Sequence, residues 1–175
     1  MAKVIVVGLA KSGIEAARLL AGRKDTVFVT ELKNDAGARK IRDLLINEGA
    51  VKPENIELGG HTERFIKKAD LMVASPGVRP DAFPIKSAGA KKIPVISELE
   101  LAYTMCPAPI IAVTGTSGKT TTTTLIGEML KNSGFDAIVC GNIGNPFSGE
   151  IKRINCSSIV VLEASSFQLE LVDKF

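Results

Sequence analysis

Apolar and mixed segments alternate along the chain with a regular rhythm. Val4-Ile-Val-Val7, Thr26-Val-Phe-Val-Thr-Glu31, Asp70-Leu-Met-Val-Ala-Ser75 and Pro94-Val-Ile-Ser-Glu98 are short continuous apolar runs, the pattern of strands buried on both faces. Between them lie stretches with helical spacing, from Ser12 to about Gly22 and from about Ala36 to Glu48. Strand, helix, strand in this order predicts an α/β fold with a parallel sheet and helices on both faces. The rhythm breaks between Leu101 and Pro109, where Pro107 and Pro109 stiffen the backbone, and a domain boundary is expected near residue 107. It then resumes. Ile110-Ile-Ala-Val113 predicts a strand, Lys119 to Asn132 a helix ending at Ser133-Gly134, and Asp136–Gly141 and Ser157–Glu163 two more strands. The expected division is residues 1–107 and 108–175, the second unit being only the start of a larger domain, with an apolar strand edge that invites association.

Composition narrows the class. With 175 residues, 45% of them hydrophobic, the chain can bury a substantial core. The longest apolar runs fall far short of the ~20 residues that span a bilayer, and Met-Ala-Lys leads directly into a strand, so a cytoplasmic protein without membrane insertion is expected. A net charge of +3, without aromatic residues interleaved among the cations, argues against nucleic-acid binding. Cys106, Cys140 and Cys156 are widely spaced and are expected to be small buried hydrophobes in a reducing compartment. His61 has no partner at metal-ligand spacing and reads as a solvated loop residue.

The chemistry concentrates where glycines follow strands. In Val113-Thr-Gly-Thr-Ser-Gly-Lys-Thr-Thr121, Gly115 and Gly118 permit a tight loop whose N–H groups point inward, and the following helix adds unsatisfied donors and a partial positive charge. The backbone of Gly115, Thr116, Ser117 and Gly118, with Lys119, Thr120 and Thr121, forms the expected phosphate cradle for a nucleoside triphosphate such as ATP, and the Thr120 hydroxyl is a candidate Mg²⁺ ligand. The strict GxxxxGK[ST] spacing would place a glycine at Val113, so the loop is a variant. Glu163, at the end of an apolar strand in the same unit, is the candidate carboxylate for that metal. Ser165 and Gln168 are candidate polar ligands or merely capping residues of the next helix.

A second glycine turn has Gly8, Ala10 and Gly13 in the places of a dinucleotide fingerprint, with Glu31 at the end of the next strand, where it could hold a ribose hydroxyl. An NAD-dependent oxidoreductase fragment and a stand-alone nucleotide-binding module are therefore alternatives. Ser75-Pro-Gly-Val78 and Gly141-Asn-Ile-Gly-Asn-Pro146 close two further strands at the edge where open sheets bind ligands.

Taken together, Gly-Leu-Ala-Lys-Ser-Gly at 8–13, Ser-Pro-Gly-Val at 75–78, Ser-Glu-Leu-Glu-Leu at 97–101, Thr-Gly-Thr-Ser-Gly-Lys-Thr from 114, Gly-Asn-Ile-Gly at 141–144 and Leu-Glu-Ala-Ser-Ser-Phe-Gln-Leu-Glu from 162 resemble the Mur ligase family of bacterial cell-wall synthesis, in particular its D-glutamate-adding branch. The resemblance implies a Rossmann-like domain that holds a UDP-sugar instead of NAD, followed by the start of a P-loop ATPase domain. It implies that Gly8, Leu9, Ala10, Thr30 and Glu31 lie near the uridine and Ser75, Gly77 and Asn142 near the diphosphate, with Ser165 and Gln168 as further substrate contacts. Lys119 and Glu163 would be the catalytic pair, with Thr120 and Glu163 serving Mg²⁺ and ATP. The implied reaction joins D-glutamate to UDP-N-acetylmuramoyl-L-alanine through an acyl phosphate. The family's amino-acid-binding domain would lie beyond Phe175, so these residues alone are expected to lack ligase activity.

Overall fold

A computed structural model describes residues 1–175. Strands β1 (Lys3–Val7), β2 (Thr26–Glu31), β3 (Ile56–Leu58), β4 (Leu71–Ala74) and β5 (Val95–Ser97) form one sheet in the order β3-β2-β1-β4-β5, every pair parallel. The order reverses between β1 and β4, which opens a crevice beyond their carboxyl ends. Helices α1 (Lys11–Gly22) and α2 (Ala36–Asn47) follow β1 and β2; the short α3 (Glu63–Ile66), α4 (Phe83–Ala90) and α5 (Glu98–Tyr103) complete the unit. A second parallel sheet contains β6 (Ile110–Val113), β7 (Asp136–Gly141) and β8 (Ser158–Glu163) in the order β6-β8-β7, with α6 (Lys119–Asn132), α7 (Phe147–Glu150) and α8 (Ser166–Leu169).

The alternation along β1 explains two apolar layers. Val4 and Val6 face the larger core, while Ile5 and Val7 face a smaller one with Phe28, Ile66, Met72 and Ala88. The larger core is continuous across both sheets: Leu19 and Leu20 of α1 and Leu99 and Leu101 of α5 share it with Ile138, Phe147, Val160 and Leu162. The two sheets therefore pack as one body through α1, α5 and α7. Two carboxylates reinforce the junction. Glu98 Oε1 accepts the Ser148 N–H at 2.6 Å, and the Glu100 carboxylate accepts N–H groups of Asp173, Lys174 and Phe175 at 3.1–3.3 Å. Both glutamates are almost fully buried. Burial raises the Glu98 carboxyl above the ordinary carboxylate range, and its Oε2 and the Ser148 hydroxyl have no partner.

On the far side of the second sheet α6 buries only Thr123 and Gly127, leaving Leu125, Met129 and Phe135 exposed, with Ile111 of the edge strand β6. No helix is long and apolar enough to cross a membrane. Two expectations need correction. The break in rhythm begins later than Leu101, since α5 runs to Tyr103 with its charged residues turned inward to hydrogen-bond partners. Of the cysteines only Cys140 is fully buried; Cys106 is half-buried and Cys156 is exposed in the turn before β8, so its neighbouring apolar strand does not cover it.

Candidate functional site

Two ligand-shaped features lie at the carboxyl edges of the two sheets. In the second sheet the register sets Val113 beside Glu163 and Glu163 beside Gly141, so the loop after β6, the end of β8 and the turn after β7 meet in one row. Gly118 adopts φ +75°, a left-handed conformation that costs a residue with a Cβ, and it starts α6 without a side-chain cap. The first N–H groups of a fourteen-residue helix are thus left facing the loop. Gly115 to Gly118, Thr120 and Thr121 are exposed, and Lys119 folds back so that Nζ donates to the Gly115 carbonyl at 2.7 Å. A phosphate arriving in the loop offers that ammonium a stronger, charged acceptor.

Glu163 closes the cradle. It is 1% exposed, yet its carboxylate accepts the Thr120 hydroxyl at 2.8 Å and the Asn142 amide at 2.7 Å. These two bonds offset the cost of burying a charge at the end of an apolar strand. A hydroxyl and a carboxylate oxygen side by side make a hard-oxygen pair that suits Mg²⁺, which usually takes one or two carboxylates and completes its shell with phosphate oxygens and water. No group of three or more His, Cys, Asp or Glu side chains that could hold a metal ion converges in the chain.

The first sheet carries a cavity of about 670 Å³ at the crevice beyond β1 and β4. Gly8, Leu9, Ala10, Glu31, Ser75 and Gly77 all line it. α1 also begins without a side-chain cap, at Ala10, whereas α2, α5 and α8 are capped by Asp35, Ser97 and Ser165. The two long helices that follow the glycine turns are left with open N-termini at the ligand edge. Gly13 permits the close approach of α1 to its turn: a Cβ there would overlap the Gly8 carbonyl oxygen. The Ser75 hydroxyl donates to the same carbonyl at 3.2 Å. Glu31 spans the turn, with Oε2 accepting the Leu9 N–H at 2.6 Å and Oε1 the Lys33 N–H at 2.9 Å.

His61 departs from the reading of the sequence. It is half-buried, lines the cavity, and its Nδ1 lies 2.7 Å from the hydroxyl of Thr30, which is itself fully buried and donates to the Gly60 carbonyl at 3.1 Å. Desolvation holds the imidazole below its ordinary value, against Glu57 and Glu31, which pull the other way. Nothing in Gly59-Gly60-His61-Thr62 announces this; the placement comes from β3 pairing with β2, with Thr30 opposite Glu57.

The remaining candidates divide. Asn142 belongs to the cradle, through Glu163, and does not line the cavity. Ser165 and Gln168 form a reciprocal capping box on α8: the Ser165 hydroxyl accepts the Gln168 N–H at 3.3 Å and the Gln168 side-chain oxygen accepts the Ser165 N–H at 2.9 Å. Gln168 is 3% exposed, so its side chain is committed to the helix start instead of a free ligand position.

Comparison with known proteins agrees with this architecture. The sequence profile for the Mur ligase MurD-like N-terminal domain matches residues 2–97, and that for the Mur ligase middle domain matches residues 113–174. The UDP-N-acetylmuramoylalanine--D-glutamate ligase of Geotalea daltonii is 44% identical over 173 residues, and that of Desulfosudis oleivorans 43%; the match takes in 99% of this chain and 37% of each relative. The chain thus spans little more than a third of the length of these curated relatives. Among solved structures, UDP-N-acetylmuramate-alanine ligase MurC of Thermotoga maritima shares the fold at TM-score 0.55 and 23% identity, covering 94% of this chain and 37% of that one. The UDP-N-acetylmuramate:L-alanyl-gamma-D-glutamyl-meso-diaminopimelate ligase of Neisseria meningitides does so at 0.57 and 18%, covering 95% and 55%. With both of its parts matched in order along the chain, this protein belongs to the Mur ligase family.

Proposed function

We propose that these residues supply the nucleotide-sugar site and the ATP cradle of an ATP-dependent ligase that adds D-glutamate to UDP-N-acetylmuramoyl-L-alanine, with the divide between the two units near residue 107. The observation that carries the reading is the row Val113, Glu163, Gly141, which sets a buried carboxylate against the cradle hydroxyl of Thr120 at 2.8 Å. Catalysis of phosphoryl transfer is mostly alignment and charge neutralisation, and the cradle offers both. The loop N–H groups and the α6 N-terminus fix the β- and γ-phosphates, while Lys119 exchanges the Gly115 carbonyl for a phosphate oxygen as charge moves onto the leaving ADP. Mg²⁺, held by Thr120, Glu163 and the phosphates, supplies further neutralisation when bound.

In the reaction proposed, an oxygen of the substrate carboxylate attacks the γ-phosphorus and ADP departs. The amine of D-glutamate then attacks the acyl carbon, loses a proton, and inorganic phosphate leaves with the former carboxylate oxygen. The cavity of the first sheet would bind the UDP moiety: its volume suits a nucleotide, the α1 N-terminus suits a diphosphate, and Lys33 and Arg79 add cations. The dinucleotide reading of the Gly8 turn is weaker, because Glu31 already accepts the Leu9 N–H of the turn and the Lys33 N–H beyond β2, which commits part of its acceptor capacity to the backbone. Calorimetric titration of the chain with UDP-N-acetylmuramoyl-L-alanine tests the proposal. Saturable binding that Lys119→Ala leaves intact, together with ATP binding that the same variant lowers at least about tenfold (1.4 kcal/mol), is expected; absence of nucleotide-sugar binding contradicts it.

A further inference from the structure

We infer that His61 selects the base of the nucleotide held in the first cavity, presenting the lone pair of Nε2 as an acceptor for the imide N–H of a uracil ring and so turning cytosine away. The inference rests on the reading above, that this cavity takes a uridine nucleotide.

The tautomer follows from hydrogen-bond accounting. The Thr30 hydroxyl has one hydrogen, and the Gly60 carbonyl takes it at 3.1 Å. The contact between that hydroxyl oxygen and His61 Nδ1, at 2.7 Å, then needs its proton from the imidazole. Nδ1 is the protonated nitrogen, and in the neutral ring Nε2 is left as an acceptor. Nε2 has no partner within the protein, although His61 lines the cavity. With Nδ1 turned to the fully buried Thr30, the Nε2 edge of the ring is the one left for a ligand in the cavity that His61 lines.

The cavity's layout brings a base to this end. The open N-terminus of α1, with Ser75 and Gly77 across the crevice, suits the phosphates between β1 and β4. Moving across the sheet toward β2 and β3, the surroundings turn unfavourable for an anion: Glu31 ends β2 and Glu57 lies on β3, both close enough to act on His61. Leu32, Ala38 and Ile41 add apolar surface there, as a planar ring requires. Glu31 and Glu57 are the charged groups that act on His61, and Lys33 and Asp35 on the β2–α2 connection and Arg79 and Asp81 on the β4–α4 connection line the same cavity.

Uracil carries a donor at its ring N3, and cytosine an acceptor at the same atom. A neutral His61 of the stated tautomer pairs with the first and leaves two lone pairs opposed with the second. Protonation reverses the preference, because imidazolium donates from both nitrogens. Desolvation disfavours the imidazolium, so the neutral ring persists below the ordinary histidine range.

Calorimetric titration of the 175-residue chain with UDP and with CDP, from about pH 8 to about pH 5, reads this directly. The ratio of the two affinities removes the ionisation of the diphosphate, which both ligands share. The expected result is at least a tenfold preference for UDP at about pH 7.5 that His61→Phe, which keeps a planar ring, abolishes. A wild-type chain that binds UDP and CDP equally at about pH 7.5, or a preference for UDP retained by His61→Phe, overturns the role of His61 while leaving the cavity a uridine site. Failure of UDP to bind the wild-type chain at any pH overturns the site and this inference together.

Discussion

Replacing Glu163 by glutamine separates the metal-binding role of this carboxylate from its structural one. The side chain keeps its size and one acceptor oxygen but loses its charge. In the folded chain it makes two charge-assisted hydrogen bonds, to Thr120 at 2.8 Å and to Asn142 at 2.7 Å. A neutral amide can still satisfy both partners, since the Thr120 hydroxyl can turn to accept and Asn142 can offer its oxygen. Each bond then weakens by roughly 1 kcal/mol at most. Both partners reach solvent and recover part of that, so the folding cost of Glu163→Gln is about 1 kcal/mol. The effect on the cation is larger. A carboxylate and a divalent cation about 4 Å apart interact by roughly 8 kcal/mol at an effective dielectric constant near 20. With the phosphates sharing the ion, about 2 kcal/mol survives as lost Mg²⁺-dependent ATP affinity, roughly 30-fold. In EDTA the sign reverses: removing an anion beside the cradle leaves ATP binding unchanged or tightens it. Fluorescence titration with a labelled ATP analogue, with and without Mg²⁺, reads both arms, and urea unfolding reads the stability. Equal losses with and without Mg²⁺ would assign Glu163 a purely positional role; no loss in Mg²⁺ would remove it from the metal site.

Three further outcomes follow from the same geometry. Gly13→Ala forces a Cβ onto the Gly8 carbonyl oxygen and should cost about 3 kcal/mol in urea unfolding while also weakening UDP binding, whereas an unchanged midpoint would show that α1 has room to shift. Glu98→Gln should stabilise the chain by about 1 kcal/mol at neutral pH, because burial disfavours the charged form of Glu98 while a neutral amide still offers an acceptor to the Ser148 N–H. The folded carboxyl is raised above its unfolded value, so wild-type stability from this group is present in acid and falls as pH rises through the folded value; the gain from Glu98→Gln must therefore shrink toward pH 4.5, and a gain independent of pH would refute the burial argument. Thr120→Val, which keeps the shape of the side chain, should lower Mg²⁺-dependent ATP binding about as much as Glu163→Gln, and a chelator should erase the difference between the two variants and wild type.

Much of the fold is legible in the residues because parallel strands buried on both faces are nearly continuous apolar runs. β1, β2, β4, β6 and β8 all have that form, and the helices α1, α2 and α6 carry helical spacing. The elements that escape are those whose stability is tertiary. β3 has three residues, α3 has four, and α5 places Glu98 and Glu100 in the interior, where a charge reads as surface until its hydrogen-bond partners from distant segments are known. In the site, Lys119, Thr120 and Glu163 are readable from strand ends and loop glycines. His61 is not, because its relation to Thr30 depends on which strand pairs with β2. Ser165 and Gln168 carry the spacing of a capping box, and the structure gives them that use.

The central claim is that the loop between β6 and α6 holds the phosphates of ATP while the turn after β1 serves a separate nucleotide. Backbone amide NMR of the ¹⁵N-labelled chain, titrated with Mg²⁺ and ATP, tests it at the atoms concerned. The account predicts large shifts at Gly115 to Thr121 and at Glu163, with Gly8 to Gly13 unmoved until UDP is added. Shifts confined to the Gly8 turn on addition of ATP, or a silent cradle at saturating Mg²⁺ and ATP, would contradict it.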